Sequence, residues 1–92
     1  MSYEWNENKQ ASNFEKHGVT FQDVLPVFAD PLAVTNLDNR QDYGENRYNI
    51  VGTVQGVVVC VTFTYRKDNV RIISARIAHK KERASYDNGD YN

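Results

Sequence analysis

Residues 57–66, "VVVCVTFTYR", decide the architecture of this chain. Every residue except Cys60 and Arg66 is β-branched or aromatic, the composition of a packed strand. Side chains alternate across a strand, so Val57, Val59, Val61, Phe63 and Tyr65 share one face. Val58, Cys60, Thr62, Thr64 and Arg66 share the other. The first set is the more apolar and is expected to face the core. Downstream, "KDN" at 67–69 reads as a turn and "VRIISARIA" at 70–78 as another long strand. Upstream, "LAVTNLD" at 32–38 and "NRYNIVG" at 46–52 read as strands, with "NRQDYGE" between them and a turn at 53–56. Four consecutive strands joined by short connections imply an antiparallel meander.

The elements around the meander complete the expectation. "YEW" at 3–5 opens the chain as a short strand. "NENKQASNFEKHG" reads as a helix with Asn6 as N-cap and Gly18 as its stop. Ala11 and Phe14 are its expected buried pair, while Lys9, Asn13, Lys16 and His17 form a polar, mostly basic face. "VTFQDVLPVFADP" reads as a second helix capped by Thr20, with an apolar stripe of Phe21, Val24, Leu25 and Phe28. Pro26 breaks its interior, so a kink or a short helix of 3₁₀ character is expected. "HKKERASY" at 79–86 is a closing helix, and residues 86–92 read as a frayed tail. The expected fold class is α+β: a curved antiparallel sheet, two N-terminal helices packed on one face, and a short C-terminal helix. The 92 residues form one domain.

Composition narrows the functional classes. The single Cys60 excludes an internal disulfide and sits in a strand as a buried thiol, which fits a reducing, cytoplasmic setting. No apolar run is long enough to span a bilayer, and the polar N-terminus does not read as a signal peptide. The two histidines lie far apart without metal-ligand spacing, and there is no glycine-rich phosphate loop. No metal and no cofactor is expected.

Formal net charge is −1, yet the charge is segregated. Residues 66–83 hold seven Lys/Arg against Asp68 and Glu82, and the preceding 65 residues are net acidic. Such a segment can attract phosphate although the whole chain cannot. The plain alternative is a solvated strand edge and helix face. Lys80 and Lys81, with His79, fall in the first turn of the closing helix, where cations oppose the helix dipole. Contact with RNA or with a partner protein would offset that repulsion; a solvated turn would tolerate it.

Alternation brings several arginines together. In the last strand Arg71, Ile73, Ala75 and Ile77 are expected to face the core, with Arg71 near its end. Ser74 and Arg76 then share the side of Arg66 and Arg47, with Glu45 at the rim. Guanidinium groups grip phosphate in a forked geometry and stay charged at any working pH. Three of them on one face suit phosphodiester chemistry, by neutralising charge that grows on phosphate oxygens. Alternatively, each arginine pairs with a surface carboxylate.

One resemblance goes further. "EWNENKQASNFEKHGVTF", "VFADP", "YGENR", "VTFTYR" and "VRIISARIAHKKERASY", in that order, resemble the BrnT family of toxins from type II toxin–antitoxin systems, from about Tyr3 to Tyr86. The resemblance implies a RelE-like ribonuclease fold, RNA cleavage that arrests translation and growth, and a BrnA-like antitoxin. That partner would carry a ribbon-helix-helix DNA-binding domain, form a 2:2 heterotetramer with the toxin, and supply the operator contacts that repress the operon. Carried onto this sequence, the catalytic candidates are Arg66, Arg76, Glu45 and Arg47. The RNA-binding candidates are Lys9, Lys16, His17, Arg71, Lys80 and Lys81.

RNA carries its own nucleophile, the 2′-hydroxyl, so the implied cleavage needs no metal and leaves a 2′,3′-cyclic phosphate and a 5′-hydroxyl. Arg66 and Arg76, assisted by Arg47, would stabilise the phosphorane. Glu45 is a candidate base, or else it orients an arginine. Lys16 or His17 would serve as acid or phosphate anchor. The rival reading is a module that binds RNA or antitoxin without catalysis.

Overall fold

The computed structural model describes residues 2–40 and 42–89. The chain runs β1 (Ser2–Glu4), α1 (Glu7–His17), α2 (Phe21–Val24), a 3₁₀ helix (Leu25–Ala29), β2 (Val34–Asp38), β3 (Arg47–Val54), β4 (Val57–Arg66), β5 (Asn69–Ile77) and α3 (Lys80–Asn88). The five strands form one sheet in the order β1-β5-β4-β3-β2. β2 to β5 are the expected antiparallel meander. The sheet is nevertheless mixed, because β1 adds to the outer side of β5 in parallel. Glu4 fastens that pairing by accepting bonds from Asn69 at 2.9 Å and Arg71 at 2.7 Å.

Two-residue turns close the long hairpins. Val54 pairs with Val57, so Gln55 and Gly56 alone make the first turn, at φ +50° and +81°. Positive φ at both positions matches the right-handed twist of the strands it joins. Lys67 opens the second turn at φ +56°.

Phe21, Val24, Val27, Ile50, Val59, Val61, Phe63, Val70, Ile72 and Ala75 build the core on the helix side of the sheet. Pro26 explains why Val27, absent from the expected stripe, is fully buried. After four α-helical residues the backbone tightens to 3₁₀, with Pro26 in the first turn. A period near three then aligns Phe21, Val24 and Val27 on one line. Gly52 makes room for that line. A Cβ there would lie 2.9 Å from Ala33 Cβ and Val27 Cγ2, and 3.0 Å from an Asp30 carboxylate oxygen.

The buried face of α1 differs from the expectation. Ala11 and Phe14 are exposed, and Asn13 is the buried residue. Among the described residues, the outer edge of β5 past β1 has no strand partner. Asn13 takes that place: its Oδ1 accepts from Ala75 N–H at 3.1 Å and its Nδ2 donates to Ala75 C=O at 2.7 Å. Trp5 packs on the core, with its ring edge-on to Phe21.

Beside the other edge, one Asp30 oxygen collects Thr53 N–H at 2.8 Å, Thr53 Oγ1 at 3.0 Å and Tyr86 OH at 2.6 Å. Its second oxygen accepts Leu32 N–H at 2.9 Å. These donors, Tyr86 first, hold the Asp30 carboxyl down to about 2. The aspartate of "VFADP" thus ties the 3₁₀ turn, β3 and α3 together. Helix α3 continues past Tyr86 to Asn88, with Gly89 as C-cap, where the frayed tail was expected. Residues 90–92 of that expected tail lie outside the described residues.

Candidate functional site: an arginine face beside a tyrosine cleft

The strand register defines the sheet face opposite the core. One row across it is Asn36, Asn49, Thr62 and Ser74; the next is Val34, Val51, Cys60 and Arg76. Asp38 sits opposite Arg47, and Thr64 opposite Arg71. Thr62 and Thr64 are buried, and both hydroxyls are used: Thr62 donates to Asn49 Oδ1 and Thr64 to the Asn46 carbonyl. Cys60 is buried, and loss of solvent raises its thiol to about 11, well above a reactive range.

A β-bulge alters the arginine census. Thr62 pairs with Ser74 but Phe63 pairs with Ile72, so Ile73 is an extra residue. Alternation slips by one there. Val70 and Ile72 face the core before the bulge, and Ala75 after it. Arg71, expected to look inward, instead joins Arg47 and Arg76 on the opposite face.

Each of these arginines has a carboxylate neighbour. Arg76 forks onto Glu82 of α3 at 2.7 and 2.8 Å. Glu82 also accepts the His79 N–H at 2.8 Å, and these bonds, with Arg76 first, bring its carboxyl to about 2. His79 is the N-cap of α3, and the carboxylate of Glu82 in the first turn offsets the dipole conflict expected from Lys80 and Lys81. Arg71 bonds Glu4. Arg40, which sequence reasoning left out, forks onto the buried Asp38 at 2.8 and 2.7 Å and holds that carboxyl below the usual range. Arg47 donates to Glu45 at 3.2 Å and lies 4.1 Å from the centre of the Tyr43 ring.

Arg66 is held most loosely. Its guanidinium is 3.7 Å from Glu45, beyond hydrogen-bond length, and its side chain is 53% exposed. Glu45 therefore lies between Arg47 and Arg66. Beside it opens a cleft of about 230 Å³ lined by Glu45, Asn46, Tyr48, Thr64 and Tyr65. Alternation groups Tyr65 with the core face of β4. Tyr65 nevertheless stands exposed near the end of β4, while Tyr48 packs against the core.

Lys9, Lys16 and His17 lie on α1, and Lys80 and Lys81 begin α3. Among the described residues no hydrogen bond or ion pair joins any of these five to the arginine face. The same residues contain no group of three or more His, Cys, Asp or Glu placed to hold a metal ion. They also contain no helix long and apolar enough to cross a membrane.

Chemically, the Glu45–Arg47–Arg66 cluster offers one carboxylate and two guanidiniums at the mouth of a partly aromatic cleft. A phosphodiester can exchange into Arg66 at little cost, because the ion pair there is long and solvated. Comparison with known proteins bears on what such a cluster serves. A search of curated proteins finds no match to the chain. A family model described as "Ribonuclease toxin, BrnT, of type II toxin-antitoxin system" matches residues 5–82. With that match running from Trp5 through the arginine face to Glu82, the chain belongs to the BrnT family of ribonuclease toxins, whose members act with an antitoxin partner.

Proposed function

We propose that this protein is a metal-independent, RelE-like endoribonuclease of the cytoplasm that cleaves mRNA and so halts translation and growth. The observation that carries the reading is the long Arg66–Glu45 pair beside Arg47 at the cleft mouth. Arg66 is exposed enough to receive a phosphate and near enough to Glu45 to present it to a base. The 2′-hydroxyl attacks the adjacent phosphorus as it loses its proton, the P–O5′ bond breaks, and the departing 5′-oxygen takes a proton from water or from Lys16 or His17, leaving a 2′,3′-cyclic phosphate and a 5′-hydroxyl. Arg66 and Arg47 stabilise the pentacoordinate charge. Glu45 removes the 2′-proton or orients the two arginines. Arg76 sits opposite Cys60, six residues along β4 from Arg66 and too far to share that phosphate, so it holds the flanking RNA with Arg71, Lys9, Lys16, His17, Lys80 and Lys81.

The antitoxin is BrnA-like, assembles with the toxin as a 2:2 heterotetramer, and brings a ribbon-helix-helix domain that binds the operator. One observation favours the non-catalytic alternative. Arg40, Arg47, Arg66, Arg71 and Arg76 all have carboxylate neighbours, as they would on a surface built only to dock a partner.

Cleavage of a defined mRNA in excess EDTA, without ribosomes, separates the readings. Wild type is expected to cut and leave cyclic-phosphate ends. Arg66→Ala should be slower by about a hundredfold, the scale for losing one transition-state donor. Arg66→Lys should fail nearly as badly, because a point charge cannot replace the fork. Cleavage ends bearing a 3′-hydroxyl, or equal rates for all three proteins, would overturn the mechanism.

A further inference from the structure

The cleft beside Glu45 offers a second recognition element. Tyr65 is 55% exposed although it belongs by parity to the apolar face of β4. Its ring meets Tyr48 at 66° and Phe63 at 86°, with centroids 5.6 Å away in both cases. Both are edge contacts, and among the described residues no ring stacks parallel on Tyr65. Tyr48 is itself stacked on Phe63, and Phe63 is edge-on to Phe28, so the two tyrosines of the cleft continue an aromatic cluster that reaches into the core.

Tyr65 and Arg66 are consecutive strand residues, so they project to opposite sides of one backbone. A nucleotide has the matching polarity, an anionic phosphate at one end and a flat base at the other. About 230 Å³ of open space lies between Glu45–Asn46 and Thr64–Tyr65. Base-on-aromatic stacking is tolerant of sequence and needs an unpaired base.

We infer that Tyr65 is a base-stacking platform: the cleft takes one unpaired nucleobase of single-stranded RNA while Arg66 holds the neighbouring phosphate. Tyr48 sets the ring's angle, and the exposed Asn46 lies where its side-chain amide can meet the base edge. This inference rests on the ribonuclease reading for the identity of the ligand, but stacking is separable from cutting. The platform acts on binding and positioning, and it explains why an aromatic residue is left in water at the end of the most apolar strand.

The test uses the purified chain and a 5′-labelled 2′-O-methyl oligoribonucleotide of twelve residues, roughly the span a groove of this kind tracks. That probe cannot be cleaved by 2′-hydroxyl attack. Anisotropy at fixed low salt should give equal affinity for wild type and Tyr65→Phe, and about tenfold weaker binding for Tyr65→Leu. A duplex of the same sequence should lose the Tyr65 dependence. Melting curves of the three proteins check that the exposed site tolerates the change. Equal single-strand affinity for Tyr65→Leu and wild type overturns the platform, as does failure of the wild type to bind the probe. Binding with the expected Tyr65 dependence, but no cleavage of the unmodified RNA, would leave the platform standing and remove the catalytic reading alone.

Discussion

Asn13 shows how much one polar side chain can decide. It is 6% exposed, and its amide serves both backbone groups of Ala75 as a strand neighbour would. Replacing it with leucine keeps the branching at Cγ but leaves a buried N–H and C=O unpaired. Asn13→Leu is expected to cost about 2–4 kcal/mol, read as a lower urea midpoint. Asn13→Asp is the sharper probe, because it keeps the acceptor for Ala75 N–H but turns a second anionic oxygen toward the Ala75 carbonyl. It should be at least as damaging at neutral pH and should recover partly in acid, where the carboxyl regains a donor. Nothing in the helical spacing of α1 marks Asn13 as buried. Its partner is a strand edge 62 residues away, and only the stop of β1 at Glu4 leaves that edge open.

Among the elements, the 3₁₀ helix and β3 fit so closely that Gly52 has no room for a methyl group. Gly52→Ala should push the Val27 line off the sheet and destabilise by about 1–3 kcal/mol, measured by thermal or urea unfolding. The order of elements was readable because strand composition, Thr20 and Asn6 as caps, and the Pro26 break are local signals. The side-chain direction in β5 was not, since "VRIISARIA" alternates plausibly in either parity. A single extra residue at Ile73 puts Arg71 on the arginine face without leaving a mark in composition. Parallel addition of β1 was equally hidden, because it depends on β5 offering an outer edge. The candidate site was half legible: Glu45, Arg47 and Arg66 meet, whereas the clamps on Arg76 and Arg40 come from Glu82 and Asp38, whose roles emerge only from tertiary contact.

For the molecule as a whole, two carboxylates join its layers. Asp30 and Glu82 both stand at about 2 when folded. In the unfolded chain such groups titrate near ~4, so between those values the unfolded state binds more protons and stability rises with pH. The contribution is complete above about pH 5 and is lost as pH falls from ~4 toward ~2. Urea midpoints measured from pH 6 down to pH 2 should therefore decline most steeply below pH 4. Tyr86→Phe removes the foremost donor to Asp30 and should flatten that decline. A profile unchanged by Tyr86→Phe would show that the α3 contact does not set the Asp30 carboxyl.

The clasp of β1 onto β5 carries a consequence for the order in which the sheet forms. Glu4 and its partners Asn69 and Arg71 lie 65 and 67 residues apart in the chain. Closing so long a loop is slow. Until β5 is in place, Glu4 has no Arg71 and Thr64 has no strand neighbour on that side. Docking of β1 is therefore expected to follow formation of the β2–β5 meander, and the outermost strand of the sheet is the last to close.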